Sequence, residues 1–261
     1  MAVYAGQGDQ RRAVALLWRA HVPRTRSQPG PRPGLSVDDV VAAAIAVADE
    51  TTLSGLSMRA VAQRLGCSPM ALYTYVPGKA ELVDLMVDQA YADAAAAVDV
   101  TAPWRAALRA WAEALWERCL RHPWLLEVSH ARPVLGPHEQ ALLETVLVVL
   151  EGTGLPARQR RAVTSALFSL VRGAAATVAE ARAAAARTGR DDASWWAERT
   201  SALAEVAPDW AERFPASARL GAADDPPGAA AAPLAERARA ALDDALEVLL
   251  DGVEVAVSRR G

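Results

Sequence analysis

Apolar positions recur at intervals of three and four along most of the chain, the spacing that lines one face of an α-helix. Val14, Leu17, Trp18 and His21 give a short amphipathic segment from Arg11 that Pro23 ends. From Ser36, a good N-cap with Asp39 in the first turn, Val40, Ala44 and Val47 share a face until about Glu50, and residues 51–56 read as a loop around Gly55. Ser57 caps a second helix that turns Val61, Ala62 and Leu65 inward, and Gly66 stands where a left-handed C-terminal residue is wanted. Ser68 then caps again, with Pro69 at the first helical position, where a missing N–H costs nothing. This third helix is expected over 69–76. Pro77 and Gly78 break it, and Lys79 opens a long fourth helix through Leu82, Leu85 and Met86 toward Val98.

Beyond Pro103 the helical period continues. Trp104, Leu108, Trp111 and Leu115 form one stripe, 139–150 is strongly apolar, 157–187 is a long alanine-rich helix, and 195–206 is a further helix. The segment 233–257 carries Leu242, Leu246, Leu249, Val253 and Val257 along one side. No strand pair is visible, so the expected fold is all-α. Two segments lack a packing face: 221–233, rich in Pro, Gly and Ala and expected to be mobile, and 23–34, whose prolines favour an extended basic linker. Arg24, Arg26 and Arg32 of that linker either stay solvated or enter a minor groove as a flexible arm. The divisions expected are 1–34 (helix and basic arm), 35–80 (two short helices and a tight turn at its centre) and 81–261 (a helical bundle).

Composition narrows the classes. A chain of 261 residues with 52% hydrophobic and 23% charged residues can build a sizeable core unaided, which excludes wholesale disorder. Two cysteines, Cys67 and Cys119, are too few for a disulfide framework and point to a reducing compartment. The net charge of −3 conceals a division: residues 1–79 hold nine Lys and Arg against five Asp and Glu, and the remainder is acidic. A basic head favours a polyanion, and an acidic body discourages indiscriminate adhesion to it. No apolar run approaches the roughly 18 to 20 residues of a membrane span, so the expectation is a cytoplasmic protein with no membrane partner.

Two short helices joined by a Gly-containing turn, the second begun by Ser-Pro, are the sequence form of a helix-turn-helix. With Leu72 and Val76 facing the core, Met70, Ala71, Tyr73, Thr74 and Tyr75 are left toward solvent. Hydroxyls on such a face reach phosphates, and small or apolar groups touch thymine methyls. The run from Leu56 to Leu82, LSMRAVAQRLGCSPMALYTYVPGKAEL, resembles the TetR/AcrR transcriptional regulators, closest to the tetracycline-repressor branch. That resemblance implies DNA contacts by Arg59, Ser68, Pro69, Met70, Ala71, Tyr73, Thr74, Tyr75 and Lys79. It also implies a C-terminal domain that binds a small hydrophobic effector and forms a homodimer on a pseudo-palindromic double-stranded operator. Lys79, the chain's only lysine, opens a helix whose free N–H groups already favour an anion.

For the effector site, Trp111, Trp124, His130, Phe168 and Arg172 are the candidate lining residues, although Trp104 and Trp111 on one stripe suit a core better than a ligand wall. His130 lies about where the tetracycline-repressor branch has a metal-contacting histidine, but its spacing from His122 does not match, so no metal and no cofactor are expected. For the dimer, Ala162, Ala166, Ser169, Gly173 and Ala176 give one helix a small-residue face, and the Leu/Val side of 233–257 is its complement; an intrachain bundle is the alternative. An enzyme lacks support. Cys67 sits in the tight turn, Cys119 lies mid-helix, Glu127 and Glu139 form no recognisable pair motif, and no phosphate loop, serine elbow or HExxH run is present. The remaining alternative is a constitutive DNA-binding protein without an effector.

Overall fold

A computed structural model describes residues 3–4, 6–21, 34–222 and 233–259. The basic arm with Arg24, Arg26 and Arg32, and nearly all of the segment expected to be mobile, lie outside the described residues. The fold is helical. Helix α1 (Gln10–Leu17) precedes a head made of α2 (Val37–Gly55), α3 (Met58–Leu65) and α4 (Pro69–Leu72), and α5 (Lys79–Ala90) leads into the body. The body comprises α6 (Trp104–Arg121), α7 (Pro137–Glu151), α8 (Ala157–Thr188), α9 (Asp192–Val206), α10 (Trp210–Arg213), α11 (Pro215–Ala222) and α12 (Leu234–Ser258).

The head's boundaries follow from its caps. Ser36 and Asp39 form a reciprocal capping box, Ser57 accepts from the Ala60 N–H, and Gly66 closes α3 with φ of 67°. Its core is Val40, Ala44, Val61, Leu72 and Val76, all sealed from solvent. Two expected spans shorten. The third helix keeps regular geometry only to Leu72 and continues as tight turns to Val76, because the residue before Pro77 is driven out of the helical region. The fourth helix ends at Ala90 rather than near Val98: Asp93 takes φ of 61°, and only a short 3₁₀ turn, Ala95–Ala97, follows.

The body is built around α8, which packs against both α6 and α12. Leu167, Val171, Ala175 and Val178 of α8 are buried, and Arg105 and Arg109 of α6 tie it to α12 through Glu247, Asp251 and Glu254 at 2.6–2.9 Å. Contrary to expectation, α8 is long and apolar enough by composition to cross a membrane. Its apolarity is largely alanine, and its buried face belongs to the bundle. One strand pair does exist: β1 (Val3–Tyr4) runs parallel to β2 (Val128–Ser129), too brief for period-two patterning to reveal.

Candidate functional site

The head exposes a narrow surface around α4. Ser68 caps α4 by accepting from the Ala71 N–H at 3.3 Å, and Pro69 follows it, so the chain enters α4 with its first turn fixed. Met70 is 73% exposed and Tyr73 42% exposed, which is costly for side chains this apolar unless something covers them. Thr74 is exposed, while Ala71 and Tyr75 are half-buried and Tyr75 leans on the core. Arg59 is exposed on the first turn of α3. Lys79 has a further task that the sequence did not disclose: its Nζ donates to the Leu53 and Leu56 carbonyls at 3.2 and 2.7 Å, tying down the corner between α2 and α3. One ammonium hydrogen remains for an anion.

A cavity of about 340 Å³ opens in the body between the loop after β2, α7 and α8. Pro133, Leu135, Leu142, Leu143 and Phe168 form its apolar wall, with Tyr91, His130, Glu139 and Arg172 as its titratable groups. A mostly apolar chamber with a few convergent polar groups is the usual form of a small-molecule site. Burial, and secondarily the Arg172 charge, push His130 below the ordinary imidazole range, which favours a neutral ring at the exposed mouth. Burial pushes Glu139 up, and Asp88 adds to the effect, while the Leu135 N–H donated at 2.8 Å works against it. Burial likewise raises Tyr91, keeping it a neutral phenol.

Three of the five expected lining residues, His130, Phe168 and Arg172, meet at this cavity. Trp111 and Trp124 do not line it. Trp111 is fully buried, donates Nε1–H to the Leu142 carbonyl at 2.8 Å and packs edge-on against Phe168 at 4.7 Å, so it backs the wall from inside the core. Trp124 donates to Asp49 Oδ1 at 2.7 Å, an acceptor that belongs to α2 of the head. Asp49 Oδ1 also bonds His122 Nδ1 at 2.9 Å. Arg172, buried on α8, donates at 3.1 Å to the carbonyls of Leu125 and Val128. The segment 123–129 is thus held by the cavity's arginine on one side and by the head's Asp49 on the other.

A second set escaped the sequence reading. Glu81, Asp84 and Asp88 lie on one face of α5 and are all buried. Asp88 accepts at 2.9 Å from the N–H groups of both His138 and Glu139, capping α7, whose own start at Gly136 and Pro137 has no capping side chain. Gly136 is required there: a Cβ on it would lie 2.3 Å from the Asp88 carboxyl carbon. The signal was present as acidic residues at spacings of three and four inside an apolar run. Elsewhere, burial raises the Cys119 thiol to about 11, leaving it protonated and inert. No cluster of His, Cys, Asp or Glu among the described residues is arranged to hold a metal.

Residues 40–86 match the family described as bacterial regulatory proteins, tetR family, and residues 99–257 match the tetracyclin repressor-like C-terminal domain. The chain is 39% identical over 217 residues to the HTH-type transcriptional repressor DrrR1 of Streptomyces coeruleorubidus, covering 83% of this chain and 78% of that protein. An HTH-type transcriptional regulator of Saccharopolyspora erythraea is 30% identical over 150 residues, 58% of this chain and 64% of that one. Among solved structures, the TetR regulator SCO7222 of Streptomyces coelicolor superposes with a TM-score of 0.63 at 26% identity, over 84% of this chain and 97% of its own. ActR of the same organism, in complex with actinorhodin, shares the fold with a TM-score of 0.67 at 23% identity, over 85% and 97%.

Proposed function

The chain belongs to the TetR family of transcriptional regulators, and we propose that it is a homodimeric repressor released from a pseudo-palindromic operator when a small hydrophobic molecule fills the cavity beside Arg172. Two α4 helices related by a twofold axis read successive major grooves about 34–36 Å apart. Ser68 to Ala71 approach the base edges, while Arg59, Tyr73, Thr74, Tyr75 and the free hydrogen of Lys79 hold phosphates. The natural divisions are the helix-turn-helix over 35–80 and the effector and dimerisation region over 81–261, with the protein acting in the cytoplasm.

The observation that carries this function is segment 123–129, bonded at once to Arg172 in the cavity wall and to Asp49 in the head. An occupant that draws the guanidinium away from the Leu125 and Val128 carbonyls frees Trp124 to shift, and with it the angle of α2 and the spacing of the two reading helices. Such an occupant moves the equilibrium only by its differential affinity for the two arrangements. For the dimer, α8 and α12 present a shared apolar groove of about 750 Å³ whose floor includes Ala162, Ala166, Ser169, Val248 and Gly252. Val248 is 73% exposed in the single chain. A twofold copy of the same face covers it, giving a four-helix contact.

The test begins with selection of bound fragments from the source genome, followed by operator titration across salt. A specific fragment bound by a dimer supports the function, with salt dependence reporting the phosphates neutralised. Actinorhodin, seen bound in a similar structure, is the first probe of the cavity: a thermal shift together with weakened operator binding supports effector release. A folded protein that ignores every duplex at low salt overturns the function.

A further inference from the structure

Residues 3–21 lie outside both matched ranges, 40–86 and 99–257, yet the segment is fastened to β2, to α5, to the cavity rim and to the start of α2. Its first residues form β1, adding a parallel strand to Val128–Ser129 in the segment that Arg172 grips. The Gly6 N–H donates to Asp84 at 2.9 Å and the Asp9 N–H to Glu81 at 3.3 Å, which places two backbone donors against the buried acidic face of α5. Helix α1 packs on α5 with Ala13 and Leu17 buried. At its end, Trp18 donates Nε1–H to the Leu135 carbonyl at 2.9 Å, and Arg19 pairs with Asp38 in the first turn of α2.

Leu135 is a cavity-wall residue in an uncommon backbone state. Its φ is 59°, a left-handed value that a leucine adopts only where its surroundings enforce it. The enforcing bonds come from two sides: Glu139 takes its N–H, and Trp18 serves its carbonyl. One continuous segment therefore touches the cavity rim, the Arg172-held strand, the helix shared by head and body, and the start of α2. A segment serving only as a tether to a basic arm needs none of these attachments.

We propose that residues 3–21 are a conformational strap that latches the head against the cavity wall in the effector-free, operator-competent arrangement. With the strap seated, Leu135, β2 and α5 move as one body, and the head keeps its angle. With the strap lifted, the rim relaxes, α5 loses two bonds on its acidic face, and the two-state balance shifts away from DNA binding without any change at α4. The proposal rests on the repressor function above.

The test uses the full chain, with Trp18→Phe, which deletes one donor and keeps an aromatic ring, and Ala13→Glu, which sets a charge on the buried face of α1. Hydrogen exchange is read without DNA, and operator affinity is read separately at fixed salt. Faster exchange at residues 81–88 and 128–135, with operator binding weakened at least fivefold and dimer content unchanged, is the expected result. Unchanged operator affinity in a variant whose strap exchanges freely overturns the latch and leaves only a tether. If Ala13→Glu fails to fold, Trp18→Phe decides alone. Wild-type protein that binds no duplex removes the repressor function and the strap's role with it, a failure distinguished from the first because it occurs with the strap intact.

Discussion

The head and the cavity are made in opposite ways. The nine head residues come from one stretch, 59–79, fixed by Ser57, Gly66, Ser68 and Pro69, whose conformational roles are local. The cavity gathers Tyr91, His130, Leu135, Glu139, Phe168 and Arg172 from α7, α8 and two connecting segments. A surface made by local rules tolerates change elsewhere in the chain. A chamber assembled from distant segments responds to all of them, which suits a sensor. Between them run Asp49, Trp124 and Arg172 along one line, and helix α5, packed on both α2 and α7, along another.

The largest expected effect is on the head. Leu72 is sealed beneath α4, and Leu72→Ala costs about 2–5 kcal/mol. Denaturant unfolding should show an early transition for the head, with cavity-dependent ligand stabilisation of the body surviving. A single transition lost in unison would show that the two regions do not differ as described. Next comes Gly136→Ala. The added methyl group meets the Asp88 carboxyl, and the overlap is expected to cost about 1–3 kcal/mol, seen as a lower melting temperature and weaker cavity binding while DNA contacts remain.

A finer comparison sets Arg59 against Lys79. Arg59→Gln should lower the slope of log operator affinity against log salt by about one unit and leave the melting temperature unchanged. Lys79→Met should lower the slope by a similar amount and also lose about 1–2 kcal/mol of stability, because two carbonyls at the end of α2 lose their donor. A slope that does not move in Lys79→Met leaves that lysine as a structural tie only.

The smallest effect concerns pH. Burial raises Asp84, Asp88 and Glu139 above their ordinary values of 3.8, 3.8 and 4.5. For such groups the unfolded chain releases protons first, so the stability they contribute is full below those ordinary values and is lost as pH rises through the folded ones. Glu247, held down to about 2 chiefly by hydrogen bonds from Arg109 and Arg105, contributes stability that is full above its ordinary value of 4.5 and is lost as pH falls from there through about 2. His130, lowered by burial, works in the opposite direction to the buried carboxylates, so wild type is best compared with Asp84→Asn. Melting temperature followed from about pH 4 to pH 7 should fall less steeply in Asp84→Asn, and parallel curves would contradict the raised Asp84.

What the sequence disclosed follows the same division. The caps and the prolines placed every helix start in the head, and the alternation of apolar positions identified Leu72 and Val76 as buried and Met70 and Tyr73 as exposed. It overestimated α4 and α5, because steric restriction before Pro77 and the left-handed Asp93 act over a single residue that a helical period does not register. In the body, His130, Phe168 and Arg172, named by type, line one cavity. Trp111 and Trp124 lie off it, since an indole N–H seeks a buried acceptor wherever the fold supplies one, and here the acceptors are Leu142 and Asp49. Asp49 and the acidic face of α5 acquire meaning only from partners 50 to 78 residues away.

The most direct measurement is a reciprocal titration: operator affinity of the protein with and without a cavity-bound compound, in wild type and in Asp49→Ala. Occupancy is predicted to weaken wild-type operator binding at least tenfold, with the operator weakening compound binding by the same factor, and Asp49→Ala to erase most of that coupling while still binding both partners. A compound that fills the cavity tightly in wild type and leaves operator affinity untouched would contradict the connection between chamber and head.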